Sequence, residues 1–209
     1  MNKRGAFVQA MVGHLLDLYR LITFDVSHPH SYSKFRNIKH LARRTGATTF
    51  IEAGTYRGVT AARCARIFER VYTVELDHKL AESASAYLKR WKNIEVIRGD
   101  ATIEVPAILE RPGIDRVLVF LDGHFSAGDT ARGVIVEPAV EEIRLLAKHR
   151  RKIRGIVIDD FRDFGRHENT PTKSALFAAL ETCFPDFEIM VHLDQVIVAA
   201  PSVDANHAR

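Results

Sequence analysis

Cysteine is scarce in this sequence, with only Cys64 and Cys183 among 209 residues. That count excludes a disulfide scaffold, and the pair lacks zinc-ribbon spacing. Both stand in apolar, helix-like surroundings, so buried free thiols in a reducing cytoplasm are expected. Long apolar runs are missing too, and no stretch reaches the roughly 20 residues of a membrane span. Neither sign of charge dominates. Lys and Arg number 30 against 26 Asp and Glu, a net +4 with His neutral, which is too mild for a nucleic-acid footprint. The densest basic run, Lys148-His149-Arg150-Arg151-Lys152 with Arg154 behind it, reads as a solvated helix end. Lys3-Arg4 precedes apolar residues in the manner of a signal peptide. Gln9, His14 and Asp17 interrupt that run and no small-residue cleavage site follows, so neither export nor membrane insertion is expected.

What is present fits a globular domain. Hydrophobic residues make up 46% and charged residues 27%, the usual balance for such a chain. A chain of this length buries about 70% of its unfolded surface, and one domain is the default reading. From Phe7 to Phe24 apolar residues recur with helical spacing and form a broad stripe. A turn-rich loop, Ser27-His28-Pro29-His30-Ser31, separates it from a helix over Lys34 to Arg44 that stops at Gly46. His28 and His30 lack a third ligand and read as loop decoration. Residues 1–46 are accordingly expected to form a lid or an oligomerisation element, whose stripe buries partly against a second copy as a homodimer. Residues 202–209 read as a tail.

From Ala47 to Pro201 short apolar runs alternate with helical ones. Strands are expected at Thr49–Ile51, Val71–Val74, Ile94–Ile97, Arg116–Leu121 and Ile156–Ile158. Helices are expected over Val59–Glu69, His78–Trp91, Ile103–Leu109 and Val136–His149, with a last one capped by Thr170 and opened by Pro171. Such alternation predicts a doubly wound α/β fold with a mostly parallel sheet. Phe187–Val191 and Val196–Ala199 are joined too briefly for a parallel pair, so they form an antiparallel hairpin.

Ligands of such sheets sit at the carboxyl ends of the strands. After the first strand comes Glu52-Ala53-Gly54-Thr55-Tyr56-Arg57-Gly58. Gly54 permits a tight turn, and Gly58 lets the helix start close to the strand. Glu75 ends the second strand about 20 residues after Gly54, the place from which an acid binds ribose hydroxyls. Arg98-Gly99-Asp100-Ala101 puts another acid on the same rim after the third strand. Tyr56 stands where a dinucleotide loop has its middle glycine, which weakens a nicotinamide oxidoreductase reading. The loop also lacks the Lys and Ser/Thr of a phosphate cradle. It suits a nucleoside without phosphates, and S-adenosylmethionine is such a ligand.

Glu52–Gly58, Glu75, Gly99-Asp100 and the terminal hairpin, in that order, together resemble class I S-adenosylmethionine-dependent methyltransferases. The resemblance implies a seven-stranded, Rossmann-like sheet with an antiparallel last strand. It also implies that Glu52, Gly54, Thr55, Tyr56 and Gly58 hold the methionine part of the cofactor, Glu75 the ribose, and Asp100 with Ala101 the adenine side. The simpler alternative is that these acids cap turns and helices. Three acids on one rim are costly unless used, which favours the cofactor.

The fourth strand ends in Asp122-Gly123-His124 and the fifth in Asp159-Asp160, both next to the switch point. Carboxylates this close repel unless a cation compensates, and oxygen ligands suit magnesium or calcium. The pattern resembles the metal-binding acids of catechol-type and macrolide-sugar O-methyltransferases. The other reading has Asp122 and Asp159 binding the cofactor's ammonium or capping helices, with Asp160 facing solvent. A lysine base expected from the catechol-type pattern is replaced by Phe125. His124 is the nearest titratable group, and the base stays unassigned. Ser126–Gly133 and Arg162–Glu168 are candidate acceptor loops. The expected function is methyl transfer to a hydroxyl of a small molecule, with magnesium as a candidate aid and no nucleic-acid partner. A non-catalytic S-adenosylmethionine-binding module is the alternative.

Overall fold

Alternating strand and helix signals build three layers, helices on both faces of one sheet. The computed structural model describes residues 31–122, 139–166 and 170–201, together with Val12, Leu15, Leu18, Tyr19 and Ile22. In chain order the elements are α1 (Ser31–Thr45), β1 (Thr49–Ala53), α2 (Val59–Cys64), β2 (Arg70–Glu75), α3 (His78–Leu88), β3 (Ile94–Arg98) and α4 (Ala101–Glu110). Then follow β4 (Val117–Leu121), α5 (Ala139–Ala147), β5 (Ile153–Ile158), α6 (Lys173–Cys183), β6 (Glu188–His192) and β7 (Gln195–Ala199). The strand order is β3-β2-β1-β4-β5-β7-β6. Strands β1 to β5 are mutually parallel, and β7 runs antiparallel to both β5 and β6. This is the expected doubly wound sheet with its terminal hairpin. No helix among the described residues is long and apolar enough to cross a membrane.

Side chains alternate faces along each strand, and the core divides accordingly. Phe50, Leu118, Phe120, Val157 and Ile197 face a layer made by α1, α2 and α3. Ile51, Val119, Leu121, Ile156 and Ile158 face α4, α5 and α6 on the other side. Strands buried on both faces read as continuous apolar runs, as β4 does with Val-Leu-Val-Phe-Leu, buried throughout.

Several boundaries move from their expected places. Thr172, not Thr170, caps α6, its Oγ1 accepting from Ala175 N at 3.1 Å. Pro171 therefore precedes the cap instead of opening the helix. Helix α2 stops at Cys64 rather than Glu69, because the chain must turn for Phe68 to pack on Phe50, with ring centroids 5.1 Å apart. Helix α3 ends at Leu88, short of Trp91. Cys64 is buried as expected, whereas Cys183 is only half-buried. The N-terminal stripe lies mostly outside the described residues. Val12, Leu15, Leu18, Tyr19 and Ile22 are helical and exposed.

Helix α1 is seated firmly on the sheet. Ile38, Leu41 and Ala42 are buried in the same cluster as Phe50 and Val157. Asn37 Nδ2 donates to Gln195 Oε1 at 2.8 Å and to the His192 carbonyl at 3.3 Å. Gly155 of β5 makes the close approach possible, since a Cβ there would stand 2.7 Å from Leu41 Cδ2 and 3.0 Å from its Cγ. Leu41 is itself buried and has little room to yield. Gly155→Ala is therefore expected to destabilise the fold by about 1–3 kcal/mol, the usual cost of overpacking. Urea unfolding measures this, and adding Leu41→Ala should recover part of the loss; two losses that simply add would show that the helix seats elsewhere.

Candidate functional site

The parallel strands all deliver their carboxyl ends to one rim, and their register fixes which residues meet there. Glu52 pairs with Thr73 across β1 and β2 and with Phe120 across β1 and β4. Beyond the strand ends the backbone stays in step. Gly54 N and Thr55 N both donate to the Val74 carbonyl, Gly99 N to Glu75, Asp122 N to Ala53 and Asp159 N to Leu121. Glu52, Glu75, Asp100, Asp122, Asp159 and Asp160 thus occupy consecutive ends of one sheet, as expected from their order in the sequence.

The loop between β1 and α2 has positive φ at Gly54 (97°), Tyr56 (47°) and Gly58 (71°). Every second residue is left-handed, so the backbone has the form of a glycine-rich loop even where Tyr56 replaces glycine. Holding a non-glycine residue there costs about 1–2 kcal/mol. Glu75 compensates, because its Oε2 accepts from Tyr56 N at 2.7 Å while Oε1 accepts from Asp77 N at 3.0 Å. Each carboxylate oxygen keeps a further lone pair for a ligand. Gly58 is also a close-contact position, since a Cβ there would lie 2.9 Å from Leu88 Cδ1.

Glu52 is sealed beneath this loop, 1% exposed. Its Oε2 accepts from Thr73 Oγ1 at 2.6 Å, and the Thr73 hydroxyl lies 2.6 Å from that of Thr55. Burial raises its pKa from the ordinary 4.5 to about 8; the Thr73 hydrogen bond opposes this and the Glu75 charge adds to it. Asp100 does what the simpler reading of the rim acids has it do. It is the N-cap of α4, accepting from Thr102 N at 2.9 Å and Thr102 Oγ1 at 2.7 Å through Oδ1. Its second oxygen is not used by that cap. Ala101 is the first residue of the helix.

At the switch point between β1 and β4 a cavity of about 220 Å³ opens, lined by Lys34, Phe35, Ile38, Thr60, Phe120, Asp122 and Asp159. Lys34 Nζ stands 2.8 Å from Asp159 Oδ1 and 2.8 Å from Asp160 Oδ1. Asp160 sits at φ 51°, its N–H donating to Asp159 Oδ1 at 3.0 Å. It also lies 3.0 Å from Arg162 Nη1, so it does not simply face solvent. Arg162 in turn pairs with Asp194 in the β6–β7 turn, and its backbone N–H donates to Asp194 Oδ1 at 2.8 Å.

Charges here shift one another. Burial pushes Asp122 well above the usual carboxylate range, and the charges of Asp159, Asp160 and Glu52 push the same way against Lys34. Burial also raises Asp159, although Lys34 works against it. Burial opposes the charge of Lys34, but the two aspartates outweigh it and raise its pKa. A permanent ammonium is the result. The sequence pattern brings Asp122, Asp159 and Asp160 to one end of the sheet but does not foresee Lys34, which lies 126 positions from Asp160. Its signal is faint: Lys34 falls at helical spacing with Ile38 and Leu41, on the face that packs inward. His124, residues 126–133, His167 and Glu168 lie outside the described residues.

Glu52 yields a pH prediction. Between 4.5 and about 8 the unfolded chain has released a proton that the folded chain retains. The residue's contribution to stability therefore falls as pH rises through that window. Glu52→Gln keeps an acceptor for Thr73 and removes the charge, so it should gain stability relative to wild type from pH 4.5 towards pH 8. Urea unfolding at both ends of the window checks this; a wild type that loses no more stability than the variant would contradict it.

No family model matches the chain, and no characterised protein matches it in sequence. Solved structures do match it. An O-methyltransferase from Bacillus cereus, solved with SAH, has a TM-score of 0.59 at 20% identity and covers 80% of this chain and 80% of its own. The O-methyltransferase TomG from Streptomyces achromogenes, involved in tomaymycin synthesis and solved with SAM, has a TM-score of 0.55 at 20% identity over 81% and 80% of the two chains. The N-terminal domain of EvdMO1, solved with SAH, has a TM-score of 0.51 at 18% identity over 79% and 80%. With these the chain shares its seven-stranded sheet, and its architecture is the class I methyltransferase fold.

Proposed function

We propose that this chain transfers a methyl group from S-adenosylmethionine to a hydroxyl oxygen of a small molecule. The observation that carries the reading is the acid-lined rim on this fold. Glu75, locked by the backbone amides of Tyr56 and Asp77, stands beside a left-handed loop, and Asp122 and Asp159 line the switch-point cavity on the same rim. The residues fit the cofactor. Glu75 has free acceptor lone pairs for ribose hydroxyls, and the Asp122 carboxylate has no hydrogen-bond or ion-pair partner among the described residues. A cationic ligand end would relieve the surplus of carboxylates around Asp122.

When bound, the cofactor supplies a methyl already activated on a sulfonium, so no covalent enzyme intermediate is needed. The protein's task is then positioning. Gly54 to Gly58 would hold the amino-acid part close to the backbone, Glu75 the ribose, and Asp100 with Ala101 the adenine side. Asp122 would meet the ammonium, and the cavity beside Phe35, Ile38 and Phe120 would receive the acceptor and exclude water. The residues present do not fit a divalent ion. Asp122, Asp159 and Asp160 have the right oxygen chemistry, but Lys34 already binds two of them. No group of three or more His, Cys, Asp or Glu among the described residues is arranged to hold a metal.

Two measurements test this reading. Titration calorimetry should detect binding of S-adenosylhomocysteine, weakened by about 1.5–3 kcal/mol in Glu75→Ala, the scale of a charged hydrogen-bond partner. Glu75→Gln, which keeps one acceptor oxygen, should lose less. Tight binding of NADH with neither adenosyl compound bound would sink the proposal, while binding without turnover on any hydroxyl acceptor would favour a regulatory module. The exposed helical residues Val12, Leu15, Leu18, Tyr19 and Ile22 further support a homodimer formed through that face. Light scattering of the intact chain should give twice the protomer mass, and a monodisperse monomer would reject the dimer.

A further inference from the structure

A lysine on the packing face of an amphipathic helix needs explanation. Lys34 precedes Ile38 by one turn and Leu41 by two, and both are buried against the sheet. Its side chain is only 16% exposed and ends between two carboxylates, 2.8 Å from each. The helix that carries it is fixed to the sheet by Leu41 over Gly155 and by Asn37 on Gln195. An ammonium carries three N–H donors, and two are taken by Asp159 and Asp160. Lys34, Asp122 and Asp159 also line one cavity. The ammonium thus stands where a divalent ion would have to stand to join Asp159 to Asp160, beside Asp122 on the cavity wall.

We propose that Lys34 is the resident cation of this cavity, taking the place of a divalent metal ion between Asp159 and Asp160. The two carboxylates at the end of β5, beside Asp122 on the same cavity, are held together by a charge that belongs to the chain and cannot be chelated away. Its remaining N–H meets no acceptor among the described residues and would be the donor for an acceptor oxygen in the cavity. That last role rests on the methyl-transfer reading, whereas the exchange of metal for lysine stands apart from it.

Manganese is a suitable probe, because electron paramagnetic resonance counts the free ion without any turnover. Wild type and Lys34→Arg, which both keep a cation, should bind no Mn²⁺ at this site. Lys34→Ala should gain binding at least roughly tenfold tighter, since carboxylate charge left uncompensated sets divalent affinity, and adding Asp159→Asn should abolish the gain. If Lys34→Ala does not fold alone, Mn²⁺ should restore its thermal transition in circular dichroism. Wild-type Mn²⁺ binding that Asp159→Asn removes would overturn the proposal. So would a Lys34→Ala protein that neither binds the ion nor regains its fold with it. Calorimetry with S-adenosylhomocysteine on the same samples separates the two ideas: no binding there, with the manganese results as expected, refutes methyl transfer and leaves the lysine's place intact.

Discussion

The ammonium of Lys34 touches Asp159 and Asp160 at 2.8 Å, and much of the rim takes its shape from that contact. Asp159 is nearly sealed, and Asp160 adopts a left-handed backbone so that both carboxylates turn toward one point. Removing the partner of a buried charge costs about 3–5 kcal/mol, because the remaining charge can neither pair nor reach water. The lysine comes from α1, so this cost ties the first described helix to the end of β5. Packing on the sheet and pairing at its edge thereby reinforce one another. Leu41 packs α1 over Gly155, and Lys34 pins its first turn to the end of β5.

Glu75 solves a related problem at the other end of the rim. The loop after β1 needs left-handed residues to turn toward α2, and Tyr56 is poorly suited to such a conformation. A hydrogen bond to a charged acceptor contributes about 1.5–3 kcal/mol, enough to offset the strain of one non-glycine residue. Under the proposed methyl transfer the same carboxylate would also meet a ribose, so one side chain that shapes the loop would recognise what the loop binds. Glu52, deeper still, relies on the hydroxyl chain of Thr73 and Thr55 rather than on a counter-charge. Its proton is retained to about pH 8 because burial disfavours the charged form more than the Thr73 hydrogen bond favours it.

The fold was legible because a parallel sheet writes itself into sequence as repeated apolar runs followed by turn residues. Glu52, Glu75, Asp122 and Asp159 were legible for the same reason, since each is the first polar residue after a run. Helix ends were less so. Thr170 reads as the cap of α6 in sequence, whereas the capping hydrogen bond is made two residues later by Thr172. Lys34 was not legible as a partner of Asp159 and Asp160, because no local pattern records a contact made across the whole domain. Without it the acidic cluster looks like a metal site. With it, two of the three carboxylates have an internal cation.

The reversed seventh strand bears on the site for a topological reason. Strand β7 is antiparallel to β5 and to β6, so β6 runs in the direction of the parallel strands and its carboxyl end lies on the functional rim. A parallel successor to β6 would need a crossover returning to the opposite edge. A hairpin instead turns at that rim, through Leu193 and Asp194, both with positive φ. The tight turn places the Asp194 carboxylate against Arg162, while its carbonyl accepts from Phe161 N at 3.0 Å. Arg162 also approaches Asp160. The segment after β5 is thus held from two sides, by Lys34 through α1 and by Asp194 through the hairpin. A hairpin that only completed the sheet would place no carboxylate there. This one puts an acid at its turn, where it anchors the arginine that steadies Asp160.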